Sequence, residues 1–140
     1  MRIAICGSMT FAKDMLETKK MLERLGHKAE VPSDAHIIAN GMHNSDDLDA
    51  DYEHCIKNDI TMKFFKTIEN SDAVLVLNYP KNGINGYVGS ATLMDIGVAY
   101  YLGKRIFLLN QLPSTDKLRH SHEVRVMQPV ILNGDLKKMS

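Results

Sequence analysis

The chain has 140 residues, enough for one compact domain and too few for two independent cores. Hydrophobic residues make up 44% and charged residues 24%, as in a soluble protein with a sizeable core, and 17 Lys and Arg balance 17 Asp and Glu. That neutrality offers no strong field for polymeric nucleic acid or an anionic membrane, so neither is an expected partner.

Cys6 and Cys55 lack metal-like spacing and suit a reducing compartment. The apolar opening, residues 3–6, is too short for a signal-peptide core, and no segment reaches the roughly 18 apolar residues of a membrane span. A cytoplasmic location is expected.

Residues 3–6 predict a buried strand that enters a tight loop at Gly7-Ser8. Thr10 is placed to cap the next helix, whose inner stripe includes Met15, Leu22 and Leu25 and whose end falls at Gly26. Residues 28–31 predict a second strand, closed by Pro32-Ser33-Asp34. Residues 36–51 carry little periodicity, and the polar run from Gly41 to Asp47 predicts a loop, either a binding lid or a disordered segment.

Tyr52, Ile56, Ile60, Phe64 and Ile68 recur at four-residue spacing and predict one helical face. Residues 73–77 are an unbroken apolar run, the signature of a central parallel strand covered on both sides. A glycine-containing loop spans residues 78–90, a helix follows over about residues 92–102, and residues 105–109 and 130–132 complete the strands. The nine methionines are expected to fill the interior. Strands alternating with helices specify an α/β domain, a mainly parallel sheet of about five strands with helices on both faces. Ligands bind such sheets outside the carboxyl ends of the strands, which directs attention to the loops after Cys6, Leu77 and Leu109.

Gly7, Ser8 and Met9 lie between a strand and a helix, where exposed amides favour an anion, although neither a dinucleotide fingerprint nor a Walker loop is present. A tight turn without a ligand explains the same residues. In the second loop, Gly83, Gly86 and Gly89 with Ser90 and Thr92 form a segment able to wrap phosphate or ribose, with Tyr87 placed to lie against a base or close the pocket. The same glycines also suit an unliganded surface turn.

Asp95 is expected in the first turn of the following helix, where the dipole keeps a carboxylate ionised as a nucleophile or ribose acceptor. First-turn acids also occur for the dipole alone. Asp59, on the helix face of Cys55 and Met62, is a second candidate carboxylate for acid or base-orienting work, and a solvent-facing role is the alternative. Asp72 reads as turn chemistry. His120 and His122 form a pair without a third ligand, so no metal is expected.

The segment Gly86-Tyr87-Val88-Gly89-Ser90-Ala91-Thr92-Leu93-Met94-Asp95-Ile96-Gly97-Val98-Ala99-Tyr100-Tyr101-Leu102-Gly103-Lys104 resembles the core motif of the nucleoside 2-deoxyribosyltransferase superfamily. The opening Ile3-Ala4-Ile5-Cys6-Gly7-Ser8-Met9 is similar to the family's first strand and loop, and Ser71-Asp72-Ala73-Val74-Leu75-Val76-Leu77 to its central strand. The resemblance covers the whole chain, residues 1–140, as a single domain.

It implies a Rossmann-like or flavodoxin-like fold and a homodimer or larger assembly. It also implies N-glycosidic bond chemistry on a 2'-deoxynucleoside or its 5'-monophosphate, without metal or organic cofactor. The carboxylate would stabilise an oxocarbenium-like transition state and bond to the sugar carbon. Carried onto this chain, the nucleophile is Asp95, and Gly7, Ser8, Gly86, Gly89 and Ser90 contact sugar or phosphate.

The family has Glu where this chain has the shorter Asp95, and the first loop lacks the arginine of the monophosphate hydrolases, leaving Lys13 as its nearest cation. A displacement of about 1 Å can cost about a hundredfold in rate. A nucleotide-binding or sensing domain that retains the pocket without turnover is therefore the alternative. A flavodoxin-like electron carrier is a third reading, disfavoured by the lack of a flavin phosphate loop and of Trp.

Overall fold

The computed structural model describes residues 1–139; Ser140 lies outside the described residues. Five strands, β1 (Arg2–Cys6), β2 (Lys28–Glu30), β3 (Ala73–Val76), β4 (Arg105–Leu108) and β5 (Val130–Ile131), form one sheet in the order β2-β1-β3-β4-β5. Every pairing is parallel. The α/β architecture and parallel sheet expected from the strand–helix alternation are therefore present. This strand order reverses between β1 and β3, so their carboxyl ends flank the crevice where such sheets bind ligands.

Successive strand residues point to opposite faces and feed two cores. Ile3, Ile5, Leu75 and Phe107 pack with Met15 and Leu22 of α1 (Ala12–Arg24) and with the carboxyl-terminal Leu132, Leu136 and Met139. Ala4, Cys6, Val74, Val76 and Leu108 pack with Phe64 and Ile68, with Ile96 and Ala99, and with Val124. The near-absence of polar residues from β3 follows from burial on both faces.

Between the sheet residues lie α2 (Ala35–Ala39), α3 (Leu48–Asn58), α4 (Ile60–Glu69), α5 (Ser90–Tyr101) and α6 (Ser121–Val126). Among the described residues no helix is long and apolar enough to cross a membrane.

Several local expectations are corrected. The residue capping the turn before α1 is Ser8, whose Oγ accepts from the Thr10 amide at 3.3 Å, while Phe11 precedes α1 with no side-chain cap. Leu25 is exposed. The apolar repeat from Tyr52 to Ile68 is not one helix: Asp59 adopts a left-handed backbone (φ 52°, ψ 42°) and separates α3 from α4. A short polar side chain tolerates that conformation, and the break changes the phase of the stripe. Phe64 and Ile68 are consequently buried, whereas Tyr52 and Ile56 are 69% and 68% exposed. Met15 and Met139 are interior, but Met21, Met42, Met62 and Met94 are exposed.

Candidate functional site

At the carboxyl ends of β1 and β2, a cavity of about 150 Å³ is walled by six segments. Cys6, Gly7 and Met9 come from the first loop, Pro32 and Asp34 from the end of β2, and Ser45 from the following loop. The helices add Asp51 and Cys55 of α3, Ile60, Thr61 and Phe64 of α4, and Ala91, Met94 and Asp95 of α5. The α5 residues have i, i+3, i+4 spacing and so share one face of that helix.

Because α5 begins at Ser90, Asp95 lies beyond its first turn, contrary to the first-turn placement expected from sequence. The dipole weakens beyond the first turn. Burial governs the carboxyl instead and pushes its pKa from 3.8 up to about 7. The expectation of a fully ionised Asp95 at neutral pH is therefore replaced by a group that titrates there. The same buried environment, with Asp95 opposite, raises the Cys6 thiol well above its ordinary range.

The first loop approaches the β3 end closely: a Cβ on Gly7 would lie 3.2 Å from the Leu77 carbonyl oxygen. Ser8 does not line the cavity. Its Oγ accepts from Lys81 Nζ at 2.7 Å, and Lys81 also lies 3.7 Å from Asp46 and 6.0 Å from the centre of the Tyr87 ring. The cation at the first loop is thus Lys81, from the loop after β3, whereas Lys13 belongs to a neighbouring cleft.

That glycine-containing loop is organised mainly by protein contacts. Gly86 is buried with φ +76°, and a Cβ there would fall 2.1 Å from the Gln111 carbonyl oxygen, so the loop after β4 presses directly on it. Buried Asn78 joins the same loops through its Oδ1, which accepts from the Asn110 amide at 2.9 Å, and its Nδ2, which donates to the Asn110 carbonyl at 2.8 Å. Gly89 precedes α5, Ser90 is exposed at its start, and Tyr87 is half-buried beside Gly89.

Of the residues singled out from sequence, Gly7, Met9 and Asp95 therefore meet in the cavity. Ser8, Gly86, Tyr87, Gly89 and Ser90 stand outside its lining. Asp59 does as well: it is exposed at the α3–α4 junction, so its inferred place on the face of Cys55 does not survive the helix break. His120 is bonded to the Val88 carbonyl, and among the described residues no group of three His, Cys, Asp or Glu is placed to hold a metal ion.

The structure also gathers residues not singled out before. Asp34 is 4% exposed, and its Oδ2 lies 3.0 Å from His54 Nε2. Asn58 Nδ2 sits 3.2 Å from His54 Nδ1; an amide nitrogen only donates, so Nδ1 accepts and the ring proton is on Nε2, directed at Asp34. Alongside, His43 Nε2 and Asp51 Oδ1 are 2.8 Å apart, Cys55 donates to Asp51 Oδ2 at 3.5 Å, and the two imidazoles stack at 4.1 Å. Burial, followed by Asp51, holds the Cys55 thiol up at about 11, so it is not a poised thiolate. Asp51, His54, Cys55 and Asn58 have i, i+3, i+4, i+7 spacing, a polar stripe that was legible as the inward face of α3.

No family model matches the sequence, and no curated protein matches it. Among solved structures, the chain is similar to the CMP N-glycosidase BcmB of Clostridium botulinum, with a TM-score of 0.51 and 19% identity over 94% of this chain and 84% of that one. The likeness establishes a shared fold across nearly the full length, in agreement with the fold implied by the resemblance in sequence.

Proposed function

We propose that this chain cleaves the N-glycosidic bond of a 2'-deoxynucleoside or its 5'-monophosphate, with Asp95 as the nucleophile. The observation that carries the reading is a carboxyl pushed up to about 7 by burial in a small cavity beside the carboxyl end of β1. The shared fold with a CMP N-glycosidase and the resemblance of residues 86–104 to the deoxyribosyltransferase motif point the same way.

In this scheme ionised Asp95 attacks C1' as the C1'–N bond breaks, and the base leaves with the bonding pair. Water or a second base then takes the sugar from the aspartyl ester. The apolar walls Ile60, Phe64 and Met94 keep the reacting pair poorly hydrated. Lys81, beside Ser8, supplies the positive charge for a 5'-phosphate in place of the absent first-loop arginine. No cofactor is required.

A homodimer completes the reading. Met62, Phe65, Met94, Val98, Tyr101 and Leu102 line an apolar cleft between α4 and α5, and Met94 belongs to both that cleft and the Asp95 cavity.

The test is chromatography of free base after incubation with 2'-deoxynucleosides and their 5'-monophosphates, with and without a second base. Base release is expected, and a new nucleoside on adding the second base identifies transfer. The second reading, a sensing domain without turnover, is favoured by the short side chain of Asp95 and its incomplete ionisation at neutral pH. A ligand-induced rise in melting temperature with no base released selects it.

A further inference from the structure

Besides Asp95, the cavity holds two carboxylates whose hydrogen bonding differs. Both oxygens of Asp51 are engaged, Oδ1 with His43 and Oδ2 with Cys55. Asp34 is engaged on one side only: His54 donates to Oδ2, while Oδ1 is buried with no hydrogen-bond partner. A buried carboxylate oxygen without a partner is costly, and in a residue lining a cavity it marks where a ligand donor belongs. The Asn58-to-His54 bond fixes the ring proton on the Asp34 side, so Oδ2 stays occupied and Oδ1 is the oxygen left to read the ligand.

Size narrows the ligand further. A volume of about 150 Å³ takes a single ring, since cavities of that measure hold benzene. Phe64, Ile60 and Met94 offer apolar contact to the faces of such a ring. Across the shared residues Met9 and Ser45 the cavity adjoins an outer cleft of about 420 Å³ lined by Thr10, Asn44 and Asp46, the ion-pair partner of Lys81, with room for a polar sugar phosphate.

We infer that Asp34 is a specificity residue that accepts a hydrogen bond from the exocyclic amino group of a single-ring base, so that the site selects cytosine over uracil. Cytosine presents an amino group at that edge where uracil presents a carbonyl oxygen, which would face the Asp34 carboxylate acceptor to acceptor. This inference rests on the nucleotide N-glycosidase reading for its ligand class but concerns binding, and the two are tested separately.

The experiment is titration calorimetry of the Asp95→Ala protein, in which turnover is removed, with dCMP, dUMP and dAMP. Base release by the wild type is followed in parallel. Binding of dCMP about ten- to a hundredfold tighter than dUMP is expected, the range for a hydrogen bond to a charged partner. Adding Asp34→Asn, whose amide can also donate, should abolish or reverse the preference between dCMP and dUMP. Circular dichroism confirms that this near-isosteric variant is folded, and the comparison of the three nucleotides does not depend on it.

Equal binding of dCMP and dUMP overturns the inference, even where the wild type releases base. An equal loss for all three nucleotides on Asp34→Asn also overturns it, placing a sugar hydroxyl at Oδ1. Selective dCMP binding with no base release upholds Asp34 and removes the catalytic reading. No binding of any nucleotide overturns both.

Discussion

Replacing Asp95 with Asn should change stability in a strongly pH-dependent way. Burial raises the folded-state pKa of Asp95 from 3.8 to about 7, so the folded protein holds a proton that the unfolded chain has released over that interval. The Asp95 contribution is greatest below about pH 4 and is lost as pH rises through about 7. At about 1.4 kcal/mol per pH unit, the full loss is about 4 kcal/mol. Asp95 borders a cavity and keeps some contact with solvent, so about 2 kcal/mol is the lower bound.

Asn resembles the protonated acid and does not titrate. The stability of Asp95→Asn relative to wild type should therefore increase by about 2–4 kcal/mol between pH 4 and pH 8. Taking the variant-minus-wild-type difference at each pH cancels the other carboxyls. Urea unfolding followed by circular dichroism resolves this: with a slope near 2 kcal/mol per M, the midpoint difference between the proteins moves by about 1–2 M. A difference independent of pH would refute the burial argument for Asp95.

Three further outcomes follow from the same geometry. Base release should rise with pH through about 7 on its acidic limb, because attack needs ionised Asp95; a flat kcat/KM profile between pH 5.5 and 8 contradicts this. Gly86→Ala should destabilise the protein by about 3 kcal/mol or more, since its Cβ meets the Gln111 carbonyl at 2.1 Å in a left-handed backbone, and an unchanged melting temperature would show that the loop yields freely. Asn78→Ala should cost about 2–4 kcal/mol in urea unfolding by stranding the buried Asn110 amide and carbonyl, whereas a loss below about 1 kcal/mol would mean that these groups find other partners.

The legible part of this fold is that set by burial on both faces. Residues 73–77 contain no polar side chain to confuse with a helix stripe, and Ala73–Val76 is indeed the central strand. The α3–α4 region was harder because Tyr52 and Ile56 extend the Phe64–Ile68 spacing by coincidence, and nothing in four-residue periodicity signals that Asp59 will turn left-handed. Following that apolar repeat concealed the polar stripe of Asp51, His54, Cys55 and Asn58, which occupies the inward face.

In the site, Gly7, Met9 and Asp95 were accessible from loop position and motif resemblance. Asp34 was read only as the close of a turn, because its function-like environment comes from His54, 20 residues away. Lys81 reaches Ser8 of the first loop from the loop after β3, a relation carried by sheet topology and invisible to local spacing. Gly86 was singled out for its place in the glycine-containing loop, and its close packing against the loop after β4 was not legible from sequence.

The most direct measurement is base release from a 2'-deoxynucleotide by wild type, Asp95→Ala and Asp95→Glu, each shown to be folded. Release by the wild type, abolished in Asp95→Ala and retained in Asp95→Glu, is the predicted result. Undiminished release by Asp95→Ala would contradict Asp95 as the nucleophile, and no release by any of the three would contradict the N-glycosidic reading itself.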